Sequence, residues 1–140
     1  MQLTRFTDYS LRVLMYLGTN QERLCTAKEV AEHYKISRNH LVKVVHNLAL
    51  LGYIKSTKGK GGGICLMKEP EEINLRDIII KIEPTTLVEC FNKETNSCRI
   101  IDTCSLKHIF YESQQSFYNT LGKHTLADTI QKLKPFFLPK

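Results

Sequence analysis

The spacing of apolar residues along the chain predicts a series of helices. Apolar positions dominate Thr7–Leu17, so we predict a first helix there, with Thr7 as its N-cap and Gly18 as its end. Thr26 and Glu29 have the spacing of a capping box, in which each side chain binds a free backbone amide of the other residue. A short second helix is therefore predicted over Ala27–Tyr34.

A third helix is predicted after a tight connection, with Ser37 as its N-cap and Gly52 at its end. Apolar residues recur along one side of it at helical spacing, and such a stripe must face a core. The stripe consists of Leu41, Val44, Val45, Leu48 and Leu51. Two short helices joined by a tight turn, the second longer and basic, form a helix-turn-helix.

Two short strands are predicted next, Tyr53–Thr57 and Ile64–Met67, separated by a segment rich in lysine and glycine, residues 58–63. The glycines supply the positive φ angles that a hairpin turn requires, so this pair is predicted to form a β-wing. A nucleotide site is disfavoured, because neither phosphate-binding glycine pattern is present and the glycines open no helix.

The second half of the chain is predicted to hold a helix that ends at Pro84, an aperiodic region and a helix of about 17 residues from Ser105. A short helix capped at Thr125 follows. The fold class is therefore mainly α with a small β-wing: a winged helix-turn-helix in residues 1–84, a loop in 85–104, and a long helix with a C-terminal segment in 105–140. We expect a second subunit to cover the long helix, with packing on the first helix as the alternative.

Positive charge is concentrated in the first half. The 140 residues carry a net charge of +6, and no acidic residue lies between Glu32 and Glu69. A field of one sign attracts a polyanion such as DNA, although a solvated basic face is the plainer alternative. No apolar run is long enough to span a bilayer and the start of the chain does not read as a signal peptide, so we expect a cytoplasmic protein with no membrane partner.

The cysteines are the candidate metal ligands. Three lie in the aperiodic region, with seven and five residues between them: Cys90, Cys98 and Cys104. Zinc loops usually offer pairs separated by about two to four residues, so this spacing favours an iron–sulfur cluster without excluding zinc. His108, one turn after Cys104, is the local candidate for a fourth ligand. Cys25 and Cys65 are expected to be small core residues. No C-x-x-C or triad grouping is present, so an enzyme is not expected.

Five segments, taken together and in order, suggest a family. They are Met1–Tyr9, Ser37–Val45, Gly59–Gly63, the three cysteines, and His124–Asp128. In this combination the chain resembles the bacterial winged-helix iron–sulfur transcription regulators, the family that includes IscR, and within it the branch that senses nitric oxide. The resemblance extends over nearly the whole chain.

The resemblance implies a homodimeric repressor that binds an inverted-repeat operator in double-stranded DNA and releases it on exposure to nitric oxide, so that detoxification genes are expressed. It implies that Cys90, Cys98 and Cys104 bind a 4Fe-4S or 2Fe-2S cluster, and that Asp8 of the partner subunit supplies the remaining ligand. Asp8 can instead pair with Arg12 one turn later. A regulator of the same architecture that senses cluster or iron supply through His108 is the alternative.

The DNA contacts follow from how a recognition helix enters the major groove. Its N-terminal residues lie nearest the base edges, and the wing contacts the backbone or the minor groove. The predicted base readers are Arg38, Asn39 and His40; Lys43 is predicted to contact phosphate or guanine, Ser37 to cap the helix beside a phosphate, and Lys58 and Lys60 to act from the wing.

Overall fold

A computed structural model describes residues 2–84 and 86–133 of the chain. Met1, Thr85 and residues 134–140 lie outside this range. With them fall the first residue of the predicted winged helix-turn-helix and of the Met1–Tyr9 segment, the first residue of the predicted loop region, and the end of the predicted C-terminal region. Nothing in the described range is a helix long and apolar enough to cross a membrane.

The described residues form a mostly helical fold with one small sheet, which confirms the predicted fold class. The helices and strands are α1 (Arg5–Thr19), α2 (Ala27–Tyr34), α3 (Arg38–Leu50), β1 (Ile54–Thr57), β2 (Gly63–Leu66), α4 (Leu75–Ile82), α5 (Ser105–Leu121) and α6 (Leu126–Ile130). Two single 3₁₀ turns lie at Pro70–Glu72 and Glu89–Phe91.

The start of α1 differs from the prediction. Thr4 is the N-cap, and its hydroxyl oxygen accepts a hydrogen bond from the Thr7 N–H at 3.3 Å. Thr7 is fully buried within the helix, where its hydroxyl donates to the carboxylate of Glu83. The prediction of Thr7 as the cap was therefore wrong, because a distant carboxylate draws this hydroxyl into the interior.

The end of α1 also differs, since the helix continues through Gly18 to Thr19. Gly18 lies close to α6: a Cβ atom there would lie 3.1 Å from Cδ1 of Ile130, so that side chain would have to shift by a few tenths of an ångström. A glycine inside a helix costs about 1 kcal/mol relative to alanine. The helix nevertheless continues through Gly18, so the prediction that this glycine ends it was wrong.

The helix-turn-helix is built as predicted. Thr26 and Glu29 form the capping box of α2, with both hydrogen bonds at 3.1 Å. Lys35 takes a left-handed conformation, φ 54°, in the turn, and Ser37 caps α3. The stripe of α3 is buried against α1 and α2 at four of its five positions, which fixes the opposite face of α3 toward solvent.

The wing is an antiparallel hairpin whose register runs from Ile54 opposite Leu66 to Thr57 opposite Gly63. Its turn depends on glycine, since a Cβ on Gly62 would lie 2.1 Å from the carbonyl oxygen of Thr57. Strand β2 joins the core near the turn of the hairpin, through a two-way backbone pairing between Cys25 and Ile64 at 3.0 and 2.7 Å.

The two cysteines outside the loop differ in burial. Cys25 is fully buried, as predicted, and burial is the main cause that raises the pKa of its thiol to about 11. Cys65 is only partly buried in β2, so its assignment to the core is confirmed only in part.

The two C-terminal helices, α5 and α6, pack against different parts of the protein. α6 packs on α1, where Leu126 and Ile130 enter the main core. α5 contacts α4, and of its residues, all within the described range, Tyr118 alone is buried. Leu106, Ile109 and Tyr111 of α5 are each more than half exposed. The helix that packs back on α1 is therefore α6, whereas α5 has an apolar face that the described part of the chain leaves exposed.

Candidate DNA interface and metal centre

The predicted base-reading residues lie together on the solvent face of α3. Ser37 accepts a hydrogen bond from the His40 N–H at 3.3 Å and so fixes the first turn of the helix. The side chains after it are all exposed: Arg38, Asn39, His40 and Lys43. Because the opposite stripe is held in the core, this face cannot rotate away from solvent.

The exposed face of α3 includes residues that were not singled out from the sequence. These are His46 and Leu50, which continue the line of Asn39 and Lys43 at helical spacing, and Val42, which is 52% exposed. An apolar side chain in a major groove can contact a thymine methyl group. These residues could have been predicted from the sequence, because positions of α3 that fall between the buried apolar residues must point to solvent.

The wing presents Lys58 and Lys60, both exposed. Within residues 2–84 and 86–133, neither of these lysines nor Arg38 or Lys43 has a carboxylate partner at salt-bridge distance. Cations without an internal counter-ion remain available for phosphate groups.

Asp8 lies on the first turns of α1 and pairs with Arg12 at 2.9 Å. The guanidinium of Arg12 also lies over the rings of Tyr9 and Tyr34, 5.9 Å from each centroid. The Tyr9 ring is in turn 6.2 Å from that of His40, at the start of the recognition helix. The turn that carries Asp8 is therefore in contact with one of the predicted base-reading residues, His40.

The same turn is held from its other side by Glu83, which follows α4. Its carboxylate accepts hydrogen bonds from the Thr4 N–H at 3.0 Å, the Thr4 hydroxyl at 2.9 Å and the Thr7 hydroxyl. Burial alone would raise the pKa of Glu83, but these donors, led by the Thr7 hydroxyl, outweigh burial and lower it. Glu83 thus ties the beginning of α1 to the point where the chain leaves α4.

Glu83 predicts a pH dependence of stability. The pKa of Glu83 is lowered in the folded state, so as pH falls the unfolded chain takes up a proton at this residue before the folded chain does. The stability that Glu83 contributes is therefore fully present above the ordinary glutamate pKa. It is lost as pH falls through the lowered pKa of the folded state. We expect Glu83→Gln to cost about 1 kcal/mol at pH 7, since the group is partly exposed, and less below pH 4. Urea unfolding at several pH values measures this. Glu112→Gln, an exposed site on α5, should show no such trend; a Glu83→Gln cost that stays constant with pH would contradict the assignment.

The cysteine loop is ordered by its own hydrogen bonds. Glu89 accepts from the Ser97 N–H at 2.9 Å and from the Ser97 hydroxyl at 2.7 Å. Those two donors, the hydroxyl first, lower the pKa of Glu89. Cys90 and Cys98 are the residues that immediately follow this pair. Cys104 is the N-cap of α5 and makes no side-chain capping bond.

The loop thiols fit an iron–sulfur cluster by their chemistry. All five cysteines of the chain are described, none is in a disulfide, and the three in the loop are partly exposed. Cluster irons are held by thiolates, and the free N–H groups at the start of α5 favour negative charge beside Cys104. In the described ranges, however, no three thiols, imidazoles or carboxylates lie together as a site for a single metal ion.

The candidates for the fourth ligand are placed differently. The carboxylate of Asp8 is engaged with Arg12 of its own chain. His108 lines a groove of about 730 Å³ that Cys90 also lines, between the loop and α5. One chain thus brings His108, and not Asp8, to the groove beside the first cysteine.

Comparison with known proteins supports a role for this chain in regulating transcription. The model of the Rrf2 family, described as iron-dependent transcriptional regulators, matches residues 3–132. The chain is 46% identical over 132 residues to the HTH-type transcriptional regulator NsrR of Shouchella clausii, covering 93% of this chain and 89% of that protein. It is 43% identical over 133 residues to NsrR of Bacillus subtilis, covering 94% and 91%.

Solved structures share the fold. T. potens IscR superposes with a TM-score of 0.78 at 22% identity, covering 100% of this chain and 93% of that one. CymR of B. subtilis, a global cysteine regulator, gives 0.77 at 24% identity, covering 94% and 98%. The relatives confirm the resemblance seen in the motifs, and their names as regulators confirm that no enzyme was to be expected. With a family model matched over nearly its whole length, the chain belongs to the Rrf2 family of iron-dependent transcriptional regulators.

Proposed function

We propose that the chain is a cytoplasmic, homodimeric repressor that binds an inverted-repeat operator and responds to nitric oxide through an iron–sulfur cluster, so that detoxification genes are expressed. The observation that carries the DNA part is the exposed face of α3, which has the predicted base-reading side chains at its capped start. The cations of this face and of the wing have no carboxylate partner among the described residues. Nitric oxide as the signal rests on the resemblance of the sequence motifs and on the NsrR relatives.

The homodimer is supported by the uncovered side of α5. Its apolar residues Leu106 and Ile109 are 55% and 57% exposed, and Ile100, just before the helix, is 62% exposed. Monomeric proteins rarely leave large apolar side chains clustered in this way on one helix and its lead-in. A second copy packed along α5 would bury them and would place two recognition helices for two half-sites.

The cluster, 4Fe-4S or 2Fe-2S, would be held by Cys90, Cys98 and Cys104 with Asp8 of the partner subunit. When bound, such a group supplies iron atoms that react with nitric oxide. The rest of the response belongs to the chain. To act as a ligand, Asp8 would give up its ion pair with Arg12 of its own chain and bind the cluster of the other subunit. The turn that carries Asp8 contacts His40 through Tyr9.

This exchange links sensing to operator affinity. Because the turn that carries Asp8 contacts His40 through Tyr9, a change at Asp8 would alter the surroundings of the first turn of α3. A coupling of about 1 to 3 kcal/mol is typical of such linked sites. A regulator of cluster or iron supply with His108 as the ligand is the second candidate, because His108 and Cys90 line one groove.

The DNA part is tested by comparing a wing variant with a recognition-helix variant. Lys60→Ala should weaken binding to operator and random duplex alike and flatten the salt dependence by about one unit of slope, because it removes a phosphate contact. Asn39→Ala should chiefly lower the preference for operator, by about 1 to 3 kcal/mol, because it removes a base contact. Fluorescence anisotropy at several salt concentrations measures both quantities.

Lys123→Ala is the matched control, because this lysine is exposed and belongs to the turn after α5, outside the helix-turn-helix and the wing. It should leave operator affinity within a factor of about two, since only a long-range charge is removed. If Lys60→Ala and Asn39→Ala both bind like the wild type, the face of α3 and the wing are not the DNA surface.

A further inference from the structure

Cys90 and Cys98, the first two cysteines of the loop, are widely spaced in sequence for two ligands of the same cluster. Seven residues separate Cys90 from Cys98. A flexible segment of this length seldom has its ends together, so a cluster would have to close it at a cost in conformational entropy.

In the structure this segment is already closed by a pair of residues that we call the loop clasp, Glu89 and Ser97. One carboxylate oxygen of Glu89 receives both the backbone N–H and the hydroxyl of Ser97, at 2.9 and 2.7 Å. Each member of the clasp immediately precedes one of the two cysteines. The clasp therefore holds the backbone next to Cys90 close to the backbone next to Cys98.

The residues inside the clasp are folded as well. The Asn96 N–H donates to the Asn92 carbonyl at 3.1 Å, and the Asn92 side chain accepts from the Glu94 N–H at 3.0 Å. The Asn96 side chain accepts from the Cys98 N–H at 3.0 Å, which fixes the backbone of the second cysteine itself. The long spacing is thus taken up by compact turns between two clasped ends.

We propose that Glu89 and Ser97 are positioning residues that hold Cys90 and Cys98 near each other before any metal is bound. This inference deepens the proposed function, since it rests on these cysteines being ligands. The clasp contacts neither iron nor sulfide. It acts by limiting the conformations of the metal-free loop, so that less entropy is lost when the thiolates bind.

The test measures the proximity of the two thiols in the metal-free, full-length chain. Cys65→Ser and Cys104→Ser are introduced, so that Cys90 and Cys98 are the accessible pair beside the buried Cys25. The protein is equilibrated with oxidised and reduced glutathione, in which each Cys90–Cys98 disulfide formed consumes one oxidised glutathione and releases two reduced molecules. The ratio of disulfide to dithiol, read by mass spectrometry after acid quenching, reports the proximity.

Ser97→Ala and Glu89→Gln should each lower this ratio about three- to tenfold in native buffer, which corresponds to the loss of ordinary hydrogen bonds. In 8 M urea, where the clasp cannot form, the ratio should be the same for all variants. Glu94→Gln is the matched control, because it removes the same charge from the same loop at an exposed position and should leave the native ratio unchanged. An unchanged or raised ratio in both clasp variants overturns the proposal.

A second measurement separates this inference from the proposed function. With all native cysteines present, anaerobic reconstitution with iron and sulfide should be several-fold slower in Ser97→Ala than in the wild type. If the wild type itself takes up no iron, the cluster assignment fails while the glutathione ratios still decide the clasp. If the wild type takes up iron and Ser97→Ala does so at the same rate, the clasp has no positioning role.

Discussion

Cys98→Ala is expected to yield a colourless protein that has lost tight operator binding. The loop offers three thiols, and removal of one leaves two ligands in the chain for a cluster that the proposal assigns three. Cys98 lies in a partly exposed loop outside the main core, so its removal should not unfold the protein. Iron and sulfide analysis, the visible spectrum and operator titration measure the loss, and circular dichroism reports the fold.

The other cysteines give the control for this prediction. Cys65→Ala should retain the cluster, because this side chain lies in the wing strand β2. Cys25→Ala should also retain it, although the fully buried position is expected to cost about 1 kcal/mol of stability. Iron retained in Cys98→Ala at the wild-type level, or lost equally from Cys65→Ala, would contradict the assignment of the loop cysteines.

Local patterns in the sequence were sufficient for most of the fold. The capping box of α2, the cap and stripe of α3 and the glycines of the wing act within a few residues, so they could be read without the structure. The start and end of α1 were misjudged because partners distant in sequence decide them. Thr7 is bound by Glu83, 76 positions away, and Gly18 lies inside the helix against Ile130 of α6.

The candidate site divides in the same way. The cysteine spacing and the basic recognition helix are visible in the sequence, whereas the loop clasp is not, because no periodic or motif signal pairs a glutamate with a serine eight positions later. The contact of Tyr9 with His40 likewise joins two helices and has no local signature. The sequence alone therefore does not reveal the contacts through which the proposed cluster site could affect the proposed DNA-binding face.

The proposed intersubunit role of Asp8 makes the sharpest prediction. Asp8→Ala should keep iron but lower operator affinity about 5- to 150-fold, the range of a 1 to 3 kcal/mol coupling. A folding defect cannot explain such a loss, because the Asp8 side chain is 46% exposed and its pair with Arg12 is a surface ion pair worth a few tenths of a kcal/mol. Operator titration of the iron-loaded variant measures the loss, and iron analysis shows that the metal is retained.

Mixed dimers then show which subunit supplies the carboxylate. In a dimer of one Asp8→Ala chain with one Cys98→Ala chain, the three cysteines of the first face the intact Asp8 of the second, so one complete site is expected only if the ligand crosses between subunits. Its stopped-flow reaction with nitric oxide should then contain a phase at the wild-type rate. A dimer of a wild-type chain with an Asp8→Ala/Cys98→Ala chain should lack that phase, because its only complete cysteine set faces the alanine.

The two mixed dimers give opposite results if Asp8 serves its own chain, because then the wild-type chain of the second dimer holds every ligand it needs. Tagged copies purified in tandem keep the two mixtures free of parental dimers. If both mixtures and the Asp8→Ala homodimer react as the wild type does, while His108→Ala alters the spectrum, operator affinity and rate, the ligand is His108. The groove shared by His108 and Cys90 would then be the site, and sensing of cluster or iron supply would replace nitric oxide as the proposed function.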